Sequence, residues 1–295
     1  MPAFALSRRM RPALFVGPVF AIFLSANLVN LGNLGFNVLF SRWVGPALFG
    51  QLATLLTLFL AVMGVLGALQ LAISQRIAAE PDQGKAQLAG LARLSRHGLV
   101  FGFAALPILI GGTLALNLGP GLGLESPLLL PLLLLCLPFA LPLALARGVV
   151  TGRLDARRII VSAQVEMWVR LIGSALVWQA GFGLPGVTAT IALSVLAGWL
   201  PLRTACGPTG IAQAVVPTSA TAGLFLAALP FAVLQAGQII LMDGDVILAQ
   251  RLFGAEEAGY VAALGLFQRI QFFGCFSLAA VLLPVVTAEV TAGRN

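Results

Sequence analysis

The sequence contains very little charge. Only 9% of its 295 residues are Asp, Glu, Lys or Arg, whereas about 25% is usual in a soluble domain. Hydrophobic residues make up 59% of the chain. A large core does not account for this excess, because a soluble domain of this length still has a wide surface that needs charge. The surplus apolar surface is therefore predicted to face lipid.

Cysteine and histidine are also scarce. Cys136, Cys206 and Cys275 lie in or beside apolar runs and lack the paired spacing of zinc ligands or of a disulfide framework. The single histidine, His97, has no cysteine or second histidine near it in sequence. We therefore predict no metal site and no cofactor.

Motifs for nucleotide binding and covalent catalysis are missing. The chain has no P-loop and no nucleophile elbow. Gly181-x-Gly183-x-x-Gly186 has the letters of a dinucleotide fingerprint, but that fingerprint requires a preceding strand, and here the glycines separate two apolar runs. A membrane glycosyltransferase would need carboxylates at the membrane face and a sizeable soluble loop. We predict that the protein is not an enzyme.

The charge that is present marks the ends of apolar runs. A net charge of +7 in a soluble protein would suggest a nucleic-acid partner. Here the basic residues form short clusters between runs of about 20 apolar residues, the length of a membrane-spanning helix, so no nucleic-acid partner is expected. Eight spans are predicted, at residues 14–40, 51–73, 98–116, 127–146, 159–180, 185–202, 221–242 and 258–286.

The distribution of basic residues predicts the orientation. With a cytoplasmic N-terminus, thirteen basic residues fall on the cytoplasmic side and only Arg42 and Arg251 on the other. Cytoplasmic loops carry the excess of Lys and Arg in membrane proteins. Both termini are therefore predicted to be cytoplasmic. The cytoplasmic set comprises Arg8, Arg9, Arg11, Arg76, Lys85, Arg93, Arg96, Arg147, Arg153, Arg157, Arg158, Arg203 and Arg294.

A short pattern recurs after 209 residues. The two copies read Arg42-x-x-Gly45-x-x-x-x-Gly50 and Arg251-x-x-Gly254-x-x-x-x-Gly259. Each copy follows an apolar span and leads into the next, so the repeating unit contains six helices, and an even number of spans makes the units parallel. We predict a first six-helix lobe at 1–204, a cytoplasmic linker at 205–220, and the first two helices of a second lobe at 221–295. A complete second lobe would need four more helices, so we expect a chain that is short at its C-terminal end.

Four segments together carry a family resemblance. Leu39–Leu55, reading LFSRWVGPALFGQLATL, resembles the first-loop signature of the polysaccharide flippases of the multidrug/oligosaccharidyl-lipid/polysaccharide superfamily. Three further segments match the family in order and spacing. They are Gln70–Ala78, Arg147–Trp178 and Asp245–Arg269. The resemblance covers almost the whole chain. The sequence departs from the family pattern because it lacks the last third of that pattern.

This resemblance implies a two-lobed, all-α transporter that works by alternating access. Its implied substrate is a polyprenyl-pyrophosphate-linked oligosaccharide, carried across the bacterial cytoplasmic membrane for surface polysaccharide biosynthesis. Membrane lipid and polysaccharide polymerases or glycosyltransferases are the implied partners. Two alternatives stay open: a cation-coupled drug or small-molecule antiporter of the same superfamily, and a non-transporting membrane partner of polysaccharide assembly.

Two arginines lie deep within predicted spans. Arg170 and Arg269 are near the middle of their spans, where a charge costs about 2.5–3.5 kcal/mol on insertion scales and should be paired or face a wet cavity. Glu166 precedes Arg170 by one helical turn. The two residues therefore form either a structural ion pair or part of a cavity in which the guanidinium contacts a pyrophosphate.

Uncharged polar residues form a stripe in the first span. Asn27, Asn30, Asn33 and Asn37 recur every three or four residues and share an arc of about 120° on a helix. The stripe predicts interhelical hydrogen bonds, a cavity wall that contacts sugar hydroxyls, or both.

The seventh span carries a second, shorter polar patch. Gln235 and Gln238 lie inside this span, and Asp243 and Asp245 lie where it leaves the membrane. The glutamines are candidate cavity residues. The acids are weak candidates for ion coupling, since acidic residues at such a position are more often solvated loop charge.

Overall fold

The described part of the chain is a bundle of helices. The computed structural model describes residues 12–79, 84–205, 218–268 and 271, and within these ranges every regular element is a helix, which confirms the predicted all-α class. A π-helical segment, Val169–Gly173, joins α7 to α8, and a 3₁₀ turn, Leu200–Leu202, follows α9. The helices are α1 Pro12–Trp43, α2 Gly45–Ala79, α3 Gly84–Ala115, α4 Leu118–Gly121, α5 Leu129–Leu134, α6 Leu137–Gly152, α7 Ala156–Trp168, α8 Ser174–Gln179, α9 Gly183–Trp199, α10 Thr218–Leu252 and α11 at 255–268.

Within the described residues, six helical runs are long and apolar enough to cross a membrane. They coincide in position with the first six predicted spans, and α5–α6 and α7–α8 each count as one run. Helix α10 lies at the seventh predicted span but bends by 49° between Leu226–Met242 and Gly244–Leu252. Of the eighth predicted span, residues 258–268 and 271 are helical and the rest lies outside the described residues. The predicted linker at 205–220 also lies mostly outside them.

The first turn is much tighter than the sequence predicted. The predicted spans left residues 41–50 between them, yet α1 ends at Trp43 and α2 begins at Gly45. Gly45 adopts φ +77°, which a glycine tolerates because it lacks a Cβ, and Pro46 then suits the first turn of a helix. The predicted boundary was therefore wrong, because this glycine and proline reverse the chain without a loop.

Helix α2 lies at the centre of the bundle. Leu52, Leu55 and Phe59 are almost completely buried along its length. Near its C-terminal end it packs closely on α6, where a Cβ added to Gly148 would lie 2.8 Å from Ile73 Cβ. Small residues allow helices to approach in this way. Cys136, one of the cysteines that lie in or beside apolar runs, is a buried free thiol in this core.

The outer surface of the bundle is apolar. Phe101 on α3 is 69% exposed and Ile108 is 76% exposed. The most hydrophobic stretch of the Gly90–Ala115 run buries none of its residues inside the protein. This apolar exterior is the surface expected for contact with lipid.

Candidate functional site

A cavity of about 420 Å³ lies between α1, α2, the π-helical segment, α10 and α11. Apolar side chains, among them Phe59 and Met63 of α2, form much of its wall. Three segments that are far apart in sequence contribute its polar groups. The polar lining residues are Asn30, Asn33, Asn37, Arg170, Gln235 and Gln238.

The asparagines of α1 have two different settings. Asn30, Asn33 and Asn37 line the cavity, and the Asn37 side-chain amide donates to the Asn33 carbonyl oxygen at 2.8 Å. The side-chain amide of Asn27 instead donates to the Phe23 carbonyl oxygen of its own helix at 2.9 Å, and Asn27 is not among the cavity-lining residues. The stripe predicted from sequence therefore faces the cavity over part of its length.

Arg170 forms part of the cavity's polar wall and is only 8% exposed. Its Nη1 donates to Asn33 Oδ1 at 3.3 Å and its Nη2 donates to Glu166 Oε1 at 2.5 Å. The guanidinium carbon also lies 4.9 Å from the centre of the Phe59 ring, a favourable position for a cation. These contacts hold the guanidinium against the cavity wall.

A second arginine shares the same carboxylate. Arg147 Nη2 donates to Glu166 Oε2 at 2.7 Å, and Arg147 Nε donates to Ser162 Oγ at 3.1 Å. Ser162 in turn donates to the Gly198 carbonyl oxygen at 2.7 Å. Arg147, Glu166 and Arg170 therefore form a charge triad of two cations and one anion, and its formal net charge is positive.

The sequence placed Arg147 in a cytoplasmic loop, and the structure instead includes it in α6. The predicted span ended at residue 146, whereas α6 continues to Gly152, and the Arg147 side chain is only 20% exposed. Gly148, Val149 and Val150 are apolar and indicate that the helix continues past the arginine. Its pairing with Glu166 on the next helix could not be read from local spacing.

The helix carrying Arg170 departs from α-helical geometry at that residue. Val169–Gly173 is a π-helical turn between α7 and α8, and such turns occur frequently at functional sites. Gly173, in the same turn, packs closely on α9, where an added Cβ would lie 2.8 Å from Thr190 Cγ2. Arg170 thus lies within the irregular turn of this helical run.

A smaller cavity of about 230 Å³ adjoins the first one. The two share Asn33, Phe59 and Arg170 in their walls, and the smaller one adds Arg147 and Glu166. All three members of the charge triad therefore border open space. An anion entering the larger cavity would meet Arg170 first.

The lining combines a buried guanidinium with amide groups on two facing helices. Such groups suit a ligand that carries both an anionic group and hydroxyl or amide groups. The chain matches no protein-family model, no curated protein and no solved structure. Its function must therefore be inferred from the chemistry of its own residues.

The polar residues of α10 are divided between the cavity and the surface. Gln235 and Gln238 face the cavity, and close packing at Gly64 of α2, where an added Cβ would lie 2.9 Å from Gln235 Cγ, holds α10 in place. Asp245 is exposed, and its carboxylate accepts a hydrogen bond from the Val246 backbone N–H at 2.8 Å. Arg269 and the side chain of Asp243 lie outside the described residues.

The two copies of the recurring pattern contact each other. Gly45 and Gly254 occupy equivalent positions in the two copies, and both have positive φ, +77° and +116°. A Cβ added to Gly50 would lie 2.8 Å from Gly259 N, and one added to Gly259 would lie 2.6 Å from the Pro46 carbonyl carbon. The contact is reciprocal, since each second glycine packs on the backbone of the other copy. We call this pair, Gly50 and Gly259, the glycine contact.

Two buried glutamines bind the α4–α5 loop near the glycine contact. Gln51 Oε1 accepts a hydrogen bond from the Glu125 backbone N–H at 3.1 Å, and Gln250 Nε2 donates to the Gly123 carbonyl oxygen at 2.8 Å. Gln51 follows Gly50 directly in α2, and Gln250 lies near the C-terminus of α10. The ends of α2 and α10 are thus tied to one loop at this end of the bundle.

Proposed function

We propose that this chain is a multi-pass protein of the bacterial cytoplasmic membrane that moves a polyprenyl-pyrophosphate-linked oligosaccharide to the outer leaflet for surface polysaccharide biosynthesis. The observation that carries the proposal is Arg170, a buried cation near the middle of an apolar helical run that faces an amide-lined cavity. A charge at that depth is costly unless it has a partner or a ligand. A pyrophosphate accepts several hydrogen bonds from a guanidinium, and amides suit sugar hydroxyls.

The distribution of charge over the bundle supports the proposed orientation. The end that carries the glycine contact has Arg42 and Arg251 together with acidic residues of the loops and of α11. The opposite end, where α2 packs on α6, carries an excess of arginine. The arginines there are Arg76, Arg93, Arg96, Arg153, Arg157, Arg158 and Arg203. By the excess of basic residues in cytoplasmic loops, the arginine-rich end is cytoplasmic and the glycine contact lies on the outer side.

The cavity favours an anionic substrate over a cationic one. An antiporter that exchanges a drug for a cation needs a carboxylate available to bind the cation. Among the described residues that line the two cavities, Glu166 is the only carboxylate, and both of its oxygens are bound by arginines. This lining favours the flippase over a cation-coupled antiporter. An experiment must still separate the flippase from that antiporter and from a non-transporting assembly partner.

The proposal is tested by deleting the gene and re-expressing residues 1–295 alone. Surface polysaccharide and the lipid-linked repeat units retained in the inner leaflet are measured together. We expect deletion to strand those units in the inner leaflet and re-expression to clear them, whereas an Arg170→Gln chain at equal abundance should leave them stranded. If deletion changes neither pool, the sugar-lipid function is wrong, and drug efflux is measured next. Clearing that is unaffected by Arg170→Gln would contradict the assigned role of the cavity.

A further inference from the structure

Arg170 has an anionic partner on its own helical run. Glu166 is four residues before it on the same helical run, and their side chains form a direct ion pair. The Nε of Arg170 is buried and has no hydrogen-bond partner among the described residues. The guanidinium is thus partly satisfied by Glu166 and keeps unused donor capacity.

The two oxygens of Glu166 have separate partners. Oε1 accepts from Arg170 and Oε2 accepts from Arg147, and Ser162 fixes the Arg147 guanidinium from its other side. If Arg170 turned away, the carboxylate would keep the charged partner on α6. The desolvation penalty that usually makes a separated buried charge so costly would therefore be reduced at Glu166.

We propose that Glu166 is an internal counter-anion, which holds Arg170 while the cavity is empty and is displaced when the anionic group of the substrate arrives. This inference rests on the proposed function, because it assumes an anionic substrate group at Arg170. Glu166 then does not contact the substrate. It competes with the substrate, and Arg147 retains the carboxylate while Arg170 is engaged elsewhere.

This competition has a consequence for affinity that a purely structural ion pair does not have. Removing a structural partner would weaken or leave unchanged the binding of an anion, because Arg170 would lose its orientation. Removing a competitor makes the binding of an anion tighter, because the Arg170 guanidinium no longer has to release the Glu166 carboxylate first. The direction of the change distinguishes the two roles.

The test measures the binding of inorganic pyrophosphate to the full chain in detergent by isothermal titration calorimetry. The main variant is the double substitution Arg147→Gln/Glu166→Gln, which removes one cation and one anion and so leaves the formal charge beside the cavity unchanged. The matched control is Asp155→Asn/Arg158→Gln, which removes the exposed ion pair at the start of the same helix. Arg170→Gln serves as the variant that lacks the guanidinium expected to bind pyrophosphate.

We expect the double variant at 147 and 166 to bind pyrophosphate about tenfold more tightly than the parent, in the range of one charge-assisted hydrogen bond. The control should stay within about twofold of the parent, since an exposed pair contributes little. Arg170→Gln should lose binding. Thermal unfolding of each variant identifies any that do not fold.

Two results would overturn the inference in different ways. If the parent binds pyrophosphate and Arg170→Gln does not, but the double variant binds no more tightly, Glu166 is not a competitor and the proposed function stands. If neither the parent nor any variant binds pyrophosphate, the anionic-substrate function and the counter-anion role both fail. Should the double variant not fold, Glu166→Asp replaces it, because a carboxylate shorter by one methylene reaches both arginines less well. It should bind pyrophosphate more tightly than the parent, and weaker binding overturns the inference.

Discussion

The cavity wall and the glycine contact both join segments that are far apart in sequence, but opposite chemistry holds them. In the cavity wall, three charged side chains from α6, α7 and the π-helical turn are paired. At the glycine contact, Gly50 and Gly259 have no side chains, and the backbones of the two copies touch. The charge triad depends on the balance of its charges. The glycine contact depends on the absence of side chains at Gly50 and Gly259.

This difference determines how each region responds to substitution. At the charge triad, a substitution of equal size changes electrostatics and ligand affinity while the packing is kept. At the glycine contact, adding a single methyl group forces the two helices apart. The triad therefore has the properties of a site that can exchange partners, and the glycine contact those of a fixed joint.

The largest effect is expected from removing the carboxylate of the triad. Glu166→Ala leaves the buried Arg170 and the half-buried Arg147 without their counter-charge, and breaking a buried ion pair costs about 3–5 kcal/mol in free energy of unfolding. Denaturant unfolding in detergent, followed by tryptophan fluorescence, measures this loss. Asp155→Ala is the control, since it removes the exposed carboxylate and helix cap of α7 and should cost about 1 kcal/mol. Equal losses in the two variants would show that the triad does not stabilise the fold.

The next largest effect is expected at the glycine contact. Gly259→Ala places a methyl group against the Pro46 backbone, and overpacking of this kind typically costs about 1–3 kcal/mol. The same unfolding measurement applies. Gly265→Ala, on the same helix, is the matched control because nothing lies within 4 Å of its added Cβ. It should be neutral or more stable by up to about 1 kcal/mol, since alanine favours helix. Destabilisation of similar size in both variants would mean that the glycine contact is not a packing joint.

Replacing the cavity arginine with lysine tests whether the triad needs the shape of the guanidinium as well as its charge. Arg170 binds Asn33, binds Glu166 and lies over the Phe59 ring at the same time. Lysine keeps the charge but has no planar fork of donors, so we expect Arg170→Lys to clear lipid-linked repeat units about tenfold more slowly. Arg203→Lys, at an exposed position, is the control and should clear them at the parental rate. Full activity of Arg170→Lys would show that a point charge is sufficient.

The cavity wall was partly predictable from the sequence because its strongest signals are local. Helical spacing alone puts Asn30, Asn33 and Asn37 on one face and places Glu166 one turn before Arg170. The structure brings that face, the arginine and the glutamines of α10 to one cavity. Each of these residues is recognisable because a polar group inside an apolar run is costly and therefore conspicuous.

The remaining features depend on packing that spacing does not report. Arg147 reaches Glu166 because α6 continues beyond its predicted end and because Gly198 leaves room for the pair, with an added Cβ only 3.1 Å from Glu166 Cβ. The recurring pattern could be seen in the sequence, but the reciprocal packing of Gly50 on Gly259 could not. Periodicity gives the direction in which a side chain projects around a helix. It does not give the position along the helix axis at which a cavity ends.

The end of the cavity falls between two asparagines on α1, Asn27 and Asn30. The smallest expected effect comes from comparing substitutions of these two residues. Asn30 lines the cavity, whereas Asn27, one turn earlier, binds the carbonyl oxygen of Phe23 and is not part of the lining. If the amides serve sugar recognition, Asn30→Ala should slow the clearing of lipid-linked repeat units about threefold, in keeping with about 0.6 kcal/mol for one hydrogen bond in a membrane. Asn27→Ala should change the rate less than about twofold. Equal slowing in both variants, accompanied by equal losses of thermal stability, would mean that the asparagines serve helix packing, because that role does not depend on where the cavity ends.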